Sequence, residues 1–302
     1  MSKYGVQKAE PMWVIRVRLI LLHLGALAVF FVPFQWELVA LAAVSYFPRI
    51  LGVEAGYHRY FSHRSYKTSR VFQFLMAVLG SSSGQRGVLW WAAHHRAHHR
   101  HTDTEEDVHS PVHGFWKSHL GWLLEEKNAD THLDHVADFA CFPELRLINK
   151  YYYVPALLLL VGLGVAGAQG WLGPDINAWQ AVAWGFFLPT VLALHSILAV
   201  NSLAHGNGRW ASYRRFATRD LSLNSIWLAL PSVGAGWHNN HHRFSASSRA
   251  GFTWYEVDLS YLWLKSLAAL RLVWELRPVP AEIMRQGGLL DEEKPKVDQT
   301  MG

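Results

Sequence analysis

The sequence predicts an all-α integral membrane protein in which four transmembrane helices, paired as two hairpins, carry a cytosolic His-rich helical cap. Three observations predict it. First, of 302 residues 51% are hydrophobic and only 17% charged, where an ordinary soluble domain carries about a quarter charged. Second, the apolar residues gather in blocks close to the roughly 20 residues that a helix needs to cross a bilayer. Third, the chain holds 18 histidines, and many of them fall into repeated clusters beside or beyond one end of those blocks.

The expected spans are 19–34, 36–53, 154–173 and 179–200. The first two adjoin with almost no linker, and the last two are joined by GPDIN, so each pair reads as a helical hairpin. Lys3, Lys8, Arg16 and Arg18 precede the first span, and the hairpin tips carry no Lys or Arg. By the positive-inside rule both termini and the long middle segment are cytoplasmic. A single membrane domain is expected, with its cap drawn from 54–153 and 201–290 and a flexible tail at 291–302. Leu259 to Leu276 has helical periodicity and reads either as an interfacial amphipathic helix or as a core helix.

Composition removes several classes. One cysteine, Cys141, excludes an intrachain disulfide and a thiolate metal cluster. Abundant Leu, Val and aromatic residues exclude a disordered chain. The basic residues, net +5, are spread along the cytoplasmic segments rather than massed in one block. They fit lipid headgroups or an acidic partner, and no nucleic acid is expected.

The histidines carry the chemistry. His58 and His63 stand in HRYFSH, after the second span. His95, His98 and His99 stand in HRAHH, and His238, His241 and His242 in HNNHH. The i, i+3, i+4 spacing puts each triad on one helical face. Asn201 and His205, four apart, share a face at the inner end of the fourth span, whereas the five-residue step from His58 to His63 fits a helix end. Neutral imidazole is a ligand for iron, zinc, copper and nickel. Nine imidazoles exceed the needs of one ion and suit two. The other histidines, His23, His94, His101, His109, His113, His119, His132, His135 and His195, read as surface or hydrogen-bonded residues.

These motifs resemble those of the membrane fatty acyl desaturases, in particular the stearoyl-CoA desaturase-like (Δ9) group. The likeness rests on HxxxxH at His58–His63, HxxHH at His95–His99, NSLAH at Asn201–His205 and HxxHH at His238–His242. The stretches GYHRYFSHRSYKTSR and GFWKSHLGWLL strengthen it. The resemblance implies a diiron centre with ligands His58, His63, His95, His98, His99, His205, His238, His241 and His242, and Asn201 reaching one iron through water. It implies a mushroom-shaped fold and a kinked acyl tunnel. Gln85 and Trp91 would shape the kink, Tyr46 and Ile50 would close the far end, and Ile197 stands where animal members carry Thr. His94 replaces an Asp before the second box. Glu54 is a further departure, either a carboxylate behind a ligand or an interfacial charge.

The expected reaction is O2-dependent desaturation of a saturated long-chain acyl-CoA or acyl-lipid, with no catalytic side chain beyond the metal ligands. The alternative is a membrane diiron hydroxylase of alkyl or lipid chains. A metal carrier is disfavoured, because its ligands belong midway through the spans. With no dinucleotide fingerprint and no iron–sulfur cysteine set, electrons are expected from a separate ferredoxin, rubredoxin or cytochrome-type donor.

Overall fold

The computed structural model describes residues 4–206 and 212–291. The expected flexible tail, beyond Asp291, lies outside them. The described chain is mostly helical. Helix α1 (Met12–Phe31) follows Pro11, whose fixed φ suits a helix entrance, and tightens into a 3₁₀ turn before Pro33. Helix α2 (Trp36–Ser62) is 27 residues long and runs well past the expected end of the second span. Arg49 therefore lies inside it rather than near its end. The guanidinium donates there to the Ser45 carbonyl at 2.8 Å and the Thr190 hydroxyl at 2.7 Å, while Nη2 stays without a partner.

Helix α3 (Arg70–Ser81) starts at Ser69, whose hydroxyl accepts from the Phe72 amide. Helix α4 (Val88–His101) has a cap from outside its own segment, since Asn149 Oδ1 accepts from Leu89 N and Trp90 N, both at 2.9 Å. Helices α5 (Pro143–Lys150) and α6 (Tyr153–Ala168) meet at a 62° bend. At 16 residues α6 is shorter than the span expected over 154–173, and only with α5 does the pair reach spanning length. Helix α7 (Ala178–Leu203) opens with a reciprocal capping box between Asn177 and Gln180. Its turn Ala183–Phe187 is π-wound just before Pro189, which has no amide hydrogen to give to an α-helical ladder. Thus, among the described residues, three helices are long and apolar enough to cross a membrane, or four spans if the bent pair counts as one.

Helix α8 (His238–Arg243) and helix α9 (Leu259–Ala269) belong to the C-terminal segment. The helix expected to reach Leu276 stops at Ala269, because Arg271 turns to φ 58° and Val273–Trp274 is extended. Helix α9 buries Leu264 and Leu267 and exposes Leu262. Three two-residue antiparallel pairs tie distant parts together: Val6–Gln7 with Thr131–His132, Lys67–Thr68 with Val273–Trp274, and Ser212–Tyr213 with Asn224–Ser225.

The main core joins Ile50, Val53, Tyr57, Phe61, Met76, Leu89, Leu145 and Leu264, all essentially without exposure. Helices α2 and α3 cross at backbone contact. A Cβ on Gly52 would stand 2.8 Å from the Gly80 nitrogen, so a side chain there would push the helices apart. By contrast, Trp13, Ile20, Leu24, Phe30, Phe31, Trp36, Val44 and Trp179 are exposed. So broad an apolar surface has no place in water, and a bilayer accounts for it.

Candidate metal centre

The site begins with an irregularity of α2. Its last eleven residues, Gly52–Ser62, are wound as a π-helix. The His63 amide accordingly bonds the His58 carbonyl, five residues back, at 3.3 Å. Residues five apart then stack, and the His58 and His63 rings lie 5.0 Å apart. The five-residue step is therefore a one-face spacing on a π-wound turn, with His63 as the residue just past its end.

The structure brings all nine expected histidines together, in two groups. His58, His63, His95, His99 and His241 form one, and His98, His205, His238 and His242 form the other. Within each group one ring nitrogen per residue lies within 4.8 Å of all the others. Each triad is split between the groups. Helix α4 sends His95 and His99 to the first and His98 to the second, while α8 sends His241 to the first and His238 and His242 to the second.

Four carboxylates stand behind the rings. Glu54 meets His58 Nδ1 at 2.8 Å, Asp107 meets His98 Nδ1 at 2.8 Å, Asp103 meets His205 Nδ1 at 3.1 Å, and Asp220 meets His242 Nδ1 at 2.9 Å. A carboxylate only accepts, so each holds a proton on Nδ1 and turns the Nε2 lone pair inward. Glu54 is thus a buried carboxylate behind the His58 ring rather than an interfacial charge. It also takes Arg59, which is shared with Asp258 at 2.9 Å.

The donor set fits a cation. His205 Nε2 and His242 Nε2, both lone pairs, lie 2.8 and 3.0 Å from His238 Nε2. That atom carries at most one proton, so at least one contact sets lone pair against lone pair. His238 Nδ1 is buried and unpartnered as well. Hydrogen bonds alone leave the group unsatisfied, whereas a positive ion between the nitrogens satisfies it. Protonation is an unfavourable remedy. Burial, reinforced by neighbouring imidazoles, holds His63, His95, His98, His99, His238 and His241 well below the ordinary histidine range. Neutral imidazole is the form that binds metal. Burial alone would raise Asp220, but hydrogen bonds from His242 and Ser222 prevail and keep it ionised.

A cavity of about 80 Å³ adjoins the first group and has His95, Asn201, Gln85, Trp91 and Ile197 in its wall. Its other lining is mainly Leu and Trp. Tyr46 and Ile50 lie outside that lining. The Tyr46 hydroxyl donates to the Pro231 carbonyl at 2.6 Å, and Ile50 is buried in the main core. His94 lines the cavity and hydrogen-bonds the Trp90 carbonyl through Nδ1 at 2.9 Å.

The sequence reading passed over Asp103, Asp107 and Asp220, as well as Arg59 and Asp258. Asp103 and Asp107 had a signal in TDTEED, two acids four apart just after the second box. His109, read as an ordinary histidine, closes a third cluster with His98 and Asp107. His23, His195 and His119 are hydrogen-bonded to one another in series, both contacts at 2.9 Å, and His119 reaches the Ser202 hydroxyl.

Comparison with known proteins agrees with this geometry. The sequence profile of the family described as fatty acid desaturase matches residues 34–274. The sn-1 stearoyl-lipid 9-desaturase of Anabaena variabilis is 34% identical over 276 residues, covering 89% of this chain and 95% of that protein. The protein of the same name from Synechocystis is 33% identical over 280 residues, covering 92% and 84%. The icosanoyl-CoA 5-desaturase of Limnanthes douglasii is 32% identical over 277 residues, covering 89% and 73%. With its histidine groups inside the matched segment, the chain belongs to the fatty acid desaturase family and is an oxidoreductase.

Proposed function

We propose that this desaturase introduces a cis double bond at the Δ9 position of a saturated long-chain acyl group, carried as a CoA thioester or a lipid ester. The observation that carries the reading is the partition of nine inward-facing imidazoles into five and four beside an apolar cavity. His58, His63, His95, His99 and His241 would hold one iron. His98, His205, His238 and His242 would hold the other, with Asn201 near it through a water. When bound, iron supplies the one-electron chemistry of O2 that abstraction from an unactivated methylene needs.

The chain's own residues do the rest. Glu54, Asp103, Asp107 and Asp220 fix ring tautomers and orientation, which keeps the ligand nitrogens available at physiological pH. The cavity's Leu and Trp walls bind methylenes and exclude water. Trp91 stacks on His95, with ring centroids 4.9 Å apart, and so places the acyl chain beside a ligand ring. In balance, two vicinal C–H bonds are broken and a C=C bond is formed. The two substrate hydrogens, one O2, two electrons and two protons leave together as two waters. The electrons come from a separate donor protein.

We further propose a single membrane domain of four spans, α1, α2, the α5–α6 pair and α7, with both termini and the histidine groups facing the cytoplasm. The outward apolar side chains and the absence of Lys and Arg from the hairpin tips support this. The test is expression in a host lacking its own desaturase, with His98→Ala and His241→Ala alongside, and mass spectrometry of derivatised fatty acids. Cis-Δ9 monoenes from the wild type alone are expected. Hydroxylated chains, or no lipid change with metal and donor supplied, would overturn the reading.

A further inference from the structure

Arg86 lies in the link between α3 and α4 and has two features that a structural role does not require. Its backbone is at φ 68°, a conformation that residues with a side chain rarely adopt. The residue is only 8% exposed, and its buried Nε and Nη1 have no hydrogen-bond partner. Nη2 donates to the Ala129 carbonyl at 2.8 Å, the Tyr152 hydroxyl lies beside the group, and the guanidinium rests 4.3 Å over the Trp90 ring. The nearby carboxylate does not neutralise it. Glu10 is held by Arg18 at 2.8 and 2.6 Å and by the Tyr152 hydroxyl. A buried, charged and half-bonded group on a strained backbone is a combination that persists where a ligand completes it.

Its position indicates which ligand. Arg86 lines the apolar cavity that reaches His95 and Asn201. It also lines a second cavity of about 250 Å³ whose wall includes Lys8, Lys150, Gln7 and Asn149, with Glu10 among them. A molecule with a long apolar tail and a polar, anionic carrier would fill both. The atom passing Arg86 would then be the carbonyl that joins the two halves.

We propose that Arg86 binds the carbonyl oxygen of the acyl thioester or ester at the junction of the two cavities, and so fixes which methylenes reach the histidine groups. The proposal rests on the desaturase reading above and adds to it an anchor residue for the carrier end. A carbonyl held at one point sets the count of carbons from it. A loosened carbonyl lets the chain slide, so affinity and bond position change together.

The test uses the full-length, iron-loaded chain with two probes, stearoyl-CoA in detergent and distearoyl phosphatidylglycerol in lipid discs. Binding, product positions and thermal stability are compared for wild type, Arg86→Gly, Arg86→Gln and Arg86→Lys. Glycine suits the positive φ, so Arg86→Gly should melt no lower than wild type. Both Arg86→Gly and Arg86→Gln should lose about tenfold in affinity, as expected when a charged hydrogen bond to a ligand is lost. They should also spread the double bond over neighbouring positions, while Arg86→Lys keeps part of both properties. Loss confined to stearoyl-CoA assigns the carbonyl to a thioester, and loss confined to the phospholipid assigns it to an ester. Unchanged affinity and a single product position in Arg86→Gly, beside an active wild type, would overturn the anchor and leave the desaturase reading standing. Failure of the wild type to make any monoene would overturn both.

Discussion

Replacing Asp220 by Asn tests whether a carboxylate behind the ring sets the ligand nitrogen. The two oxygens of Asp220 have different duties. Oδ1 accepts from Ser222 N at 3.0 Å and from the Thr218 hydroxyl at 2.7 Å, while Oδ2 faces His242 Nδ1 at 2.9 Å. Asparagine fits the same space, but its oxygen is needed at the Oδ1 position to receive the Ser222 amide. Its NH2 group then faces His242 Nδ1 and pushes the imidazole proton to Nε2. That proton points at His238 and removes one of four nitrogens from the smaller group. Loss of such an orienting partner weakens metal affinity about 10- to 100-fold, or about 1.4–2.7 kcal/mol. The assay is competitive titration with a chelator, read as metal ions bound per chain. The wild type should hold about two and Asp220→Asn about one at the same chelator concentration, with unchanged helical circular dichroism. Two ions held at wild-type affinity would refute the reasoning, because the tautomer would then not depend on Asp220.

Further outcomes follow from the same geometry. Asp258→Ala leaves the buried Arg59 with Glu54 as its remaining carboxylate, and should destabilise the fold by about 3 kcal/mol in denaturant titration, since removing one partner of a buried ion-pair network leaves a charge under-compensated. Asn149→Ala removes the side chain that caps α4 and should cost about 1–2 kcal/mol in the same titration. Stripping the metal with a chelator should lower Tm, because an ion present at about 100 times its Kd contributes about 2.7 kcal/mol; an unchanged Tm would show that the groups hold no tightly bound ion. For the stripped protein, the six depressed histidines mean that the unfolded chain takes up protons first. Stability should therefore be full above the unfolded histidine value of about 6.5 and fall as pH drops below it, whereas a flat profile from pH 8 to 5 would contradict the burial.

Much of the site was legible because metal ligation leaves a local mark. The triads at His95–His99 and His238–His242 are set by helical period, and each does present its rings from one face. The division into five and four was not legible, since it depends on how α4 and α8 face each other across the fold. The His58–His63 step needed a π-winding, which arises from how Gly52–Ser62 packs against α3 and α4 rather than from any propensity of its residues. Span ends shifted for a similar reason. Helix α2 continues past Val53 because Glu54, Arg59 and the His58 ring find buried partners, so polarity there did not end the helix. Asp220 was beyond reach, as nothing in a sequence joins it to a histidine 22 residues away.

Neither histidine group is complete until the last of its ligands has been synthesised. The first waits for His241, and the second for His238 and His242. A ribosome making this chain has already released α1, α2 and α7 before α8 emerges. The earlier imidazoles must pass through biogenesis without their ions. On the proposed function, metal loading is therefore a late maturation step, and a message truncated before codon 238 yields a protein with neither group complete, which no supply of metal can activate.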